Sequence, residues 1–488
     1  MRATRVGLCI AAVLAWVGLE GAAFADEPVA AREPQLMGET AEITTVADAF
    51  DKNDPFDLNL VLGFTQSWKN AKIRRETNIN QPGLASGNFI PATENIASYS
   101  SQMSTLLVGA DVGIYRDLAL ILRLPIILSW SQNLDDLNGS AALSPRLLSD
   151  PAGGHLFSVP FTSPTRSGLD YFSAGLDWAI SNQQRDETKP TWVIGVEGRF
   201  PIGTPLHACN AKAPQGQPQC PEPSAWTDPN QNRDPGISRG MTSIVGKTVW
   251  SRRFGYVEPY SGFWVQADFP TGDSDFGKWN PQNNLERTPP LLGSFALGLE
   301  VIPYEHREQF QRLSADFRFK GTYHSPGRDY SELFDALGSS QASSLRTPNP
   351  AQWAPNPLAG MPNQPSSVPA PGTEQVYFTG ITEQQAYGSF MLSASATWQA
   401  GEYIKFTAGT AFTYSQPHLV TAADVCNPNV QDVGQAGPCV THDAVTRTTT
   451  AQGVPNPDHH AIIDLPGHRF SVDDTTVVDL YIMGVVMF

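Results

Sequence analysis

Charge is scarce in this 488-residue chain: Asp, Glu, Lys and Arg make up 16% of it, against 41% hydrophobic residues. What charge there is leans acidic, with 48 Asp and Glu against 32 Lys and Arg, a formal −16. No basic cluster stands ready to neutralise phosphates, so nucleic acid is excluded as a partner. Cysteine is equally sparse, five in all, with no C-x-x-C and no histidine at a matching spacing. That pattern argues against structural zinc, and no metal, cofactor or catalytic constellation is expected. Beyond the first 25 residues there is no run of 18 apolar residues, which excludes a transmembrane helix. Glycine and proline are plentiful, 41 and 40, and so many turn-formers imply many turns.

The chain opens on Arg2 and Arg5, an apolar run from Val6 to Leu19, and Ala23-Phe24-Ala25 before Asp26. A basic start, a short apolar core and a small-x-small site make a secretory signal peptide, with cleavage expected after Ala25. Removing residues 1–25, where Arg2 and Arg5 outweigh Glu20 by one charge, leaves −17.

What the chain does have is a period of two. FDLNLVLGFTQSW (56–68) sets Phe56, Leu58, Leu60, Leu62 and Phe64 against Asp57, Asn59, Val61, Gly63 and Thr65. TLLVGADVGIY (105–115) and LALILRLPIILSW (118–130, with Trp130 on the apolar face) repeat the pattern. So do segments near 170–180, 191–200, 241–251, 256–269, 291–302, 312–324, 387–399, 403–415 and 477–488, about twelve strands in all. Each is long enough to cross a bilayer when tilted. Aromatics gather at the ends of apolar faces, as with Phe56 and Trp68, Trp192 and Phe200, and Trp398. The connections alternate between long and short: Arg116-Asp117, 181–190, 252–255, 303–311 and 400–402 are tight, whereas 69–98, 131–169, 201–240, 270–290, 325–386 and 416–470 are not.

A cleavable signal, period-two strands, sorted loops and a last strand ending in phenylalanine resemble Gram-negative outer-membrane β-barrel proteins of the porin and transporter kind. The resemblance covers roughly 55–488. It implies an all-β, transmembrane, antiparallel up-and-down barrel of about 12 strands, with short periplasmic turns and long extracellular loops. It also implies that Leu480, Ile482, Gly484, Val486 and Phe488 form the strand read by the barrel-assembly machinery, with outer-membrane lipid as the surrounding partner. Residues 26–54 are then a periplasmic segment, either packed beneath the barrel or entering its lumen as a small hatch. Ile43-Thr44-Thr45-Val46 is faintly similar to the coupling box of energised transporters, but the large plug of that family does not fit in 26–54.

Alternation assigns the inward charges: Asp57, Asp111, Asp177, Glu197, Glu258, Asp268, Glu300, Asp316 and Asp479, against Arg123, Arg199, Lys247, Arg318, Lys320 and Lys405. The expected function is a narrow polar channel for passive diffusion or uptake of small solutes, leaning toward cations, with basic residues facing acidic ones across the lumen. Two alternatives stay open. One is a filled barrel that only carries surface loops for adhesion. The other is an outer-membrane lipid-modifying enzyme, for which His324-Ser325 is the one adjacent His-Ser pair at a strand end. Cys209–Cys220 and Cys426–Cys439, each within one exported loop, are the economical disulfides. Asp458-His459-His460 reads as solvated loop rather than metal site, and the Pro-rich stretch 347–372 as a lid or a surface loop.

Overall fold

The computed structural model describes residues 41–51, 54–77, 92–143, 147–149, 155–221, 232–278, 288–346, 355–356, 361–362, 378–424, 426–428, 440–443, 445–446, 448–451, 453–456 and 458–488. The signal-peptide region, Cys439 and most of 347–372 lie outside these residues.

Twelve antiparallel strands, each paired with its neighbours in sequence, form a closed barrel: β1 (Leu58–Thr77), β2 (Ala92–Tyr115), β3 (Leu118–Asp135), β4 (Tyr171–Ser181), β5 (Thr191–Pro201), β6 (Met241–Ser251), β7 (Val257–Pro270), β8 (Leu292–His306), β9 (Gln311–His324), β10 (Tyr387–Gly401), β11 (Ile404–Ser415) and β12 (Phe470–Met487). The last strand closes on the first, with Ile482 opposite Phe64 and Gly484 opposite Leu62. At the seam Leu58 and Phe488 exchange both backbone hydrogen bonds, at 3.0 and 2.9 Å. Closure leaves no unpaired strand edge, which is the only way a sheet can sit in hydrocarbon. Tight turns mark one end of the barrel (the turn end) and the long connections mark the other (the loop end).

Two sequence expectations need correction. The connection 69–98 is largely strand, because β1 continues to Thr77 and β2 begins at Ala92. Apolar alternation fades there, yet the backbone ladder runs on above the apolar belt. Trp130 faces inward rather than toward the apolar exterior. Leu128 is an extra residue in the β2–β3 register, between the Ser104–Ser129 and Thr105–Ile127 pairs. A bulge of one residue flips every side chain after it, and the indole donates to Ser101 Oγ at 3.1 Å.

The outside of the barrel is an apolar band of Leu60, Leu62, Val108, Leu176, Val196, Ile244, Val265, Leu297, Leu392, Leu480 and Ile482, all exposed. Exposed aromatics bound it at both ends. Tyr115, Trp178, Trp192, Tyr256, Tyr304, Trp398 and Tyr403 ring the turn end, and Phe200, Phe269, Tyr323 and Tyr414 the loop end. In water such a surface would carry a large hydrophobic penalty. An apolar band between aromatic girdles is what a bilayer stabilises.

The largest buried hydrophobic cluster lies not in mid-barrel but at the loop end. Ile73, Ile96, Tyr99 and Leu134 point inward from β1, β2 and β3, Phe470 and Val472 from β12. They pack against Leu147, Leu148, Leu156, Phe157 and Phe161 of the 136–170 connection, and against Leu333, Leu337, Leu345, Val420, Ile462 and Ile463 of the last two connections. A smaller cluster of Leu206, Ala208, Met241, Phe276, Phe334 and Ile381 joins the 202–240 connection to it. Cys209 and Cys220 form a disulfide there, eleven positions apart. The loops thus fold as a soluble protein does, over the mouth of the barrel.

Candidate functional site

Residues 41–51 turn back into the turn end of the lumen. Glu42–Thr44 makes one 3₁₀ turn, and Ile43 and Val46 pack against inward Ala179, Val193 and Val249. Glu258 and Glu300 stand directly opposite each other on β7 and β8, and Asp316 is next in the same row on β9. Like charges in cross-strand register repel, and Glu258 and Glu300 are almost wholly buried. The terminal segment supplies the donors they need: Ala41 N–H donates to Glu258 and Glu42 N–H to Glu300 at 3.4 Å. Thr44 and Ser251 hydroxyls meet at 2.7 Å. Asp48 is held by Arg185 at 3.1 Å, itself bound to Asp117 at 2.8 Å, and its backbone N–H donates to Asp57 at 3.2 Å. Lys405 grips Glu42 at 3.0 Å. Partial desolvation in the lumen would raise the Glu42 carboxyl, but the Lys405 ammonium overrides it and holds the group below the usual carboxylate range.

Above this segment the lumen wall carries charge in pairs. Arg123 binds Asp111 through both carboxylate oxygens. Lys247 meets Asp177 at 2.6 Å, Arg199 meets Glu197 at 2.8 Å, and Arg318 meets Asp316 at 3.2 Å. Asp479 accepts from Ser67, and Asp268, nearest the loop end, pairs with Arg239 at 3.1 Å. These partners lie on the same or nearby strands, not across the lumen as alternation suggested. The nine inward acids are each met by a cation or a donor. Lys320 differs: its ammonium rests over the Trp264 ring, 5.5 Å from its centroid, and among the described residues no carboxylate pairs with it.

Glycines make the wall flat. Asp177, Gly195 and Lys247 form one row across β4, β5 and β6. A Cβ on Gly195 would fall 2.2 Å from Asp177 Oδ1 and 2.6 Å from Lys247 Cε, so the pair spans the middle strand only because nothing projects from it. Gly298 does the same for Tyr260, whose hydroxyl crosses β8 to Arg318 Nε, 2.9 Å away, and to Asp316. Gly195→Val should therefore separate Asp177 from Lys247 and lower the unfolding free energy by about 1–3 kcal/mol. Gly246→Ala, with open space around it, is the control. Denaturant unfolding followed by heat-modifiable gel migration compares the two, and equal losses would refute the crossing role.

At the loop end three cations are buried. Arg166 and Asp335 pair at 2.7 Å with side chains 1% and 4% exposed. Arg166 also donates to the His207 carbonyl at 3.0 Å, and Asp335 accepts from Cys209 N–H at 2.9 Å. Arg75 donates to the carbonyls of Leu147, Ile462 and His468. Arg328 pairs with Asp458 at 3.3 Å. Asp458-His459-His460 is thus not solvated loop: both histidines are buried, and Asp464 accepts from His460 N–H at 2.7 Å. Among the described residues no group of three or more His, Cys, Asp or Glu is arranged to hold a metal.

Burial, reinforced by the nearby His459 and Arg328 charges, pushes the His460 imidazole down to about 3. An unfolded histidine protonates near 6.5. Hence His460 costs nothing above that pH, and its cost grows as pH falls toward 3, by up to about 1.4 kcal/mol per pH unit. His460→Asn should flatten that acid limb in protease-protection measurements on the loops. A parallel pH profile in both proteins would refute it.

His324 and Ser325 do not pair. The His324 ring stacks on Tyr387 with centroids 4.1 Å apart and its Nε2 lies 3.3 Å from Ser389 Oγ, while Ser325 bonds to neighbouring backbone. Sequence reasoning overlooked Arg166, Asp335, Arg239 and Glu42, which lie in connections without periodicity, and no sequence signal marked them.

No protein-family model matches the chain, and neither does any curated protein. Solved structures similar to it include the outer-membrane protease OmpT of Escherichia coli, at 6% identity, 89% of this chain and 96% of that one covered, TM-score 0.27. A FadL homologue of Pseudomonas aeruginosa shares 8% identity over 88% of this chain and 90% of its own, TM-score 0.30. OmpT of Vibrio cholerae, an outer-membrane protein, shares 6% over 87% and 98%, TM-score 0.24. Likeness at that level carries nothing about activity.

Proposed function

We propose that the chain is an integral outer-membrane channel for small solutes, exported and inserted with β12 as the strand read by the assembly machinery. The observation that carries this reading is the contrast between the two faces of one wall. Outside is a broad apolar band, and inside are paired charges that stay partly exposed, such as Arg199 and Glu197 at 29% and 31%. A barrel needed only to hold loops would fill its middle with apolar side chains, since buried charge costs free energy unless fully matched. This lumen instead keeps its apolar packing for its two ends and leaves mid-barrel polar. Segment 41–51 closes the turn end, so passage requires that it move. The excess of acidic residues does not by itself set a cation preference, because those in mid-lumen are locally paired.

Single-channel recording in planar bilayers tests the reading. The folded chain should show discrete openings, and deleting the terminal segment should lengthen them. A folded barrel that passes no current even without that segment would refute the channel and favour a loop scaffold.

A further inference from the structure

Lys320 projects into mid-lumen from β9. In register beside it stand Ala296 on β8 and Met391 on β10, and beyond Ala296 lies the Trp264 ring. None is acidic. The charged groups acting on the ammonium are the guanidiniums of Arg318 and Arg199, both of like sign. Each of those already has its own carboxylate, Asp316 and Glu197. Arg123, Lys247 and Lys405 are likewise matched, to Asp111, Asp177 and Glu42. Among the described residues Lys320 is thus the lumen cation without a carboxylate partner, half-buried and close to two guanidiniums.

From this placement we propose that Lys320 is the docking charge for a small organic monocarboxylate in the lumen. A single unmatched ammonium calls for one negative charge, and low-dielectric walls strengthen the attraction over its value in water. Trp264, Met391 and Ala296 give the ligand's body apolar contact while its carboxylate meets the ammonium. Inorganic anions would gain the charge term without that contact. The inference rests on the channel reading, since the solute must reach mid-lumen.

The test is equilibrium binding of radiolabelled benzoate to the refolded full chain in detergent, beside its neutral isostere benzamide. Benzoate should bind saturably and benzamide should not. Lys320→Met should weaken benzoate roughly tenfold or more, whereas Lys320→Arg should keep most of the binding. Heat-modifiable migration shows that each variant still closes its barrel. Absence of saturable benzoate binding, equal binding of the two probes, or an undiminished Lys320→Met variant overturns the assignment. Bilayer current is scored separately. A silent barrel that binds benzoate through Lys320 removes the channel and keeps the site; an open channel indifferent to benzoate does the reverse.

Discussion

A chain refolded without residues 26–48 should conduct as a continuously open pore, where the full chain opens only briefly. The contacts that hold the segment are unequal. Ala41 N–H donates to Glu258 at an almost fully covered carboxyl group. Leaving that buried donor unsatisfied costs about 1–3 kcal/mol, so Glu258→Ala should raise the open-to-closed ratio about 5- to 150-fold. Lys405→Met should do far less, because its partner Glu42 is 41% exposed and such pairs are worth about 0–1 kcal/mol. Acid should act through Glu42 in a defined direction. Its carboxyl titrates below the usual range when gripped by Lys405, so this contact persists above an ordinary carboxylate pKa and is lost as pH falls through the lowered one. Open probability in bilayers measures all three effects. Deletion without any change would place the closure elsewhere in the lumen.

Asp335→Ala should unravel the packed loops while leaving the barrel closed. It strands Arg166 inside a core where its side chain is 1% exposed, and removing one partner of a buried pair costs about 3–5 kcal/mol. The lost carboxylate also deprives Cys209 N–H of its acceptor. If loop opening governs cleavage, digestion of the loops should quicken by about two to nearly four orders of magnitude, with heat-modifiable migration unchanged. Asp335→Asn, which keeps the shape and one acceptor, should fall between. Wild-type protease resistance in Asp335→Ala would show that the apolar cluster holds the loops unaided.

The barrel was legible because lipid imposes a two-residue period that a single sequence displays. Leu480, Ile482 and Val486 announce an exterior face whatever the rest of the chain does. The tight turns were legible too, since Arg116-Asp117 leaves no room for anything but a reversal. The site was legible only as a face. Alternation says that Asp177 and Lys247 point inward but not that Gly195 lets them meet across a strand. Nor does it show that Lys320 is the cation left unmatched, for pairing depends on register, and register is set by bulges such as Leu128. Loop residues carried no period at all. Their burial follows from contacts between connections far apart in sequence, which is why Asp458-His459-His460 read as surface.

The cluster at the loop end draws Ala71 and Ile73 from the first strand together with Phe470 and Val472 from the last. Arg75, on β1, takes up the carbonyls of Ile462 and His468 just ahead of β12. None of these contacts exists until the two ends of the sheet have met. A cap built on both end strands should therefore pack only once the seam has zipped and given it walls. A barrel caught with its seam open would still have its strands but would wear its loops as loose chain, so compact, protease-resistant loops report on the far side of the membrane that closure is complete.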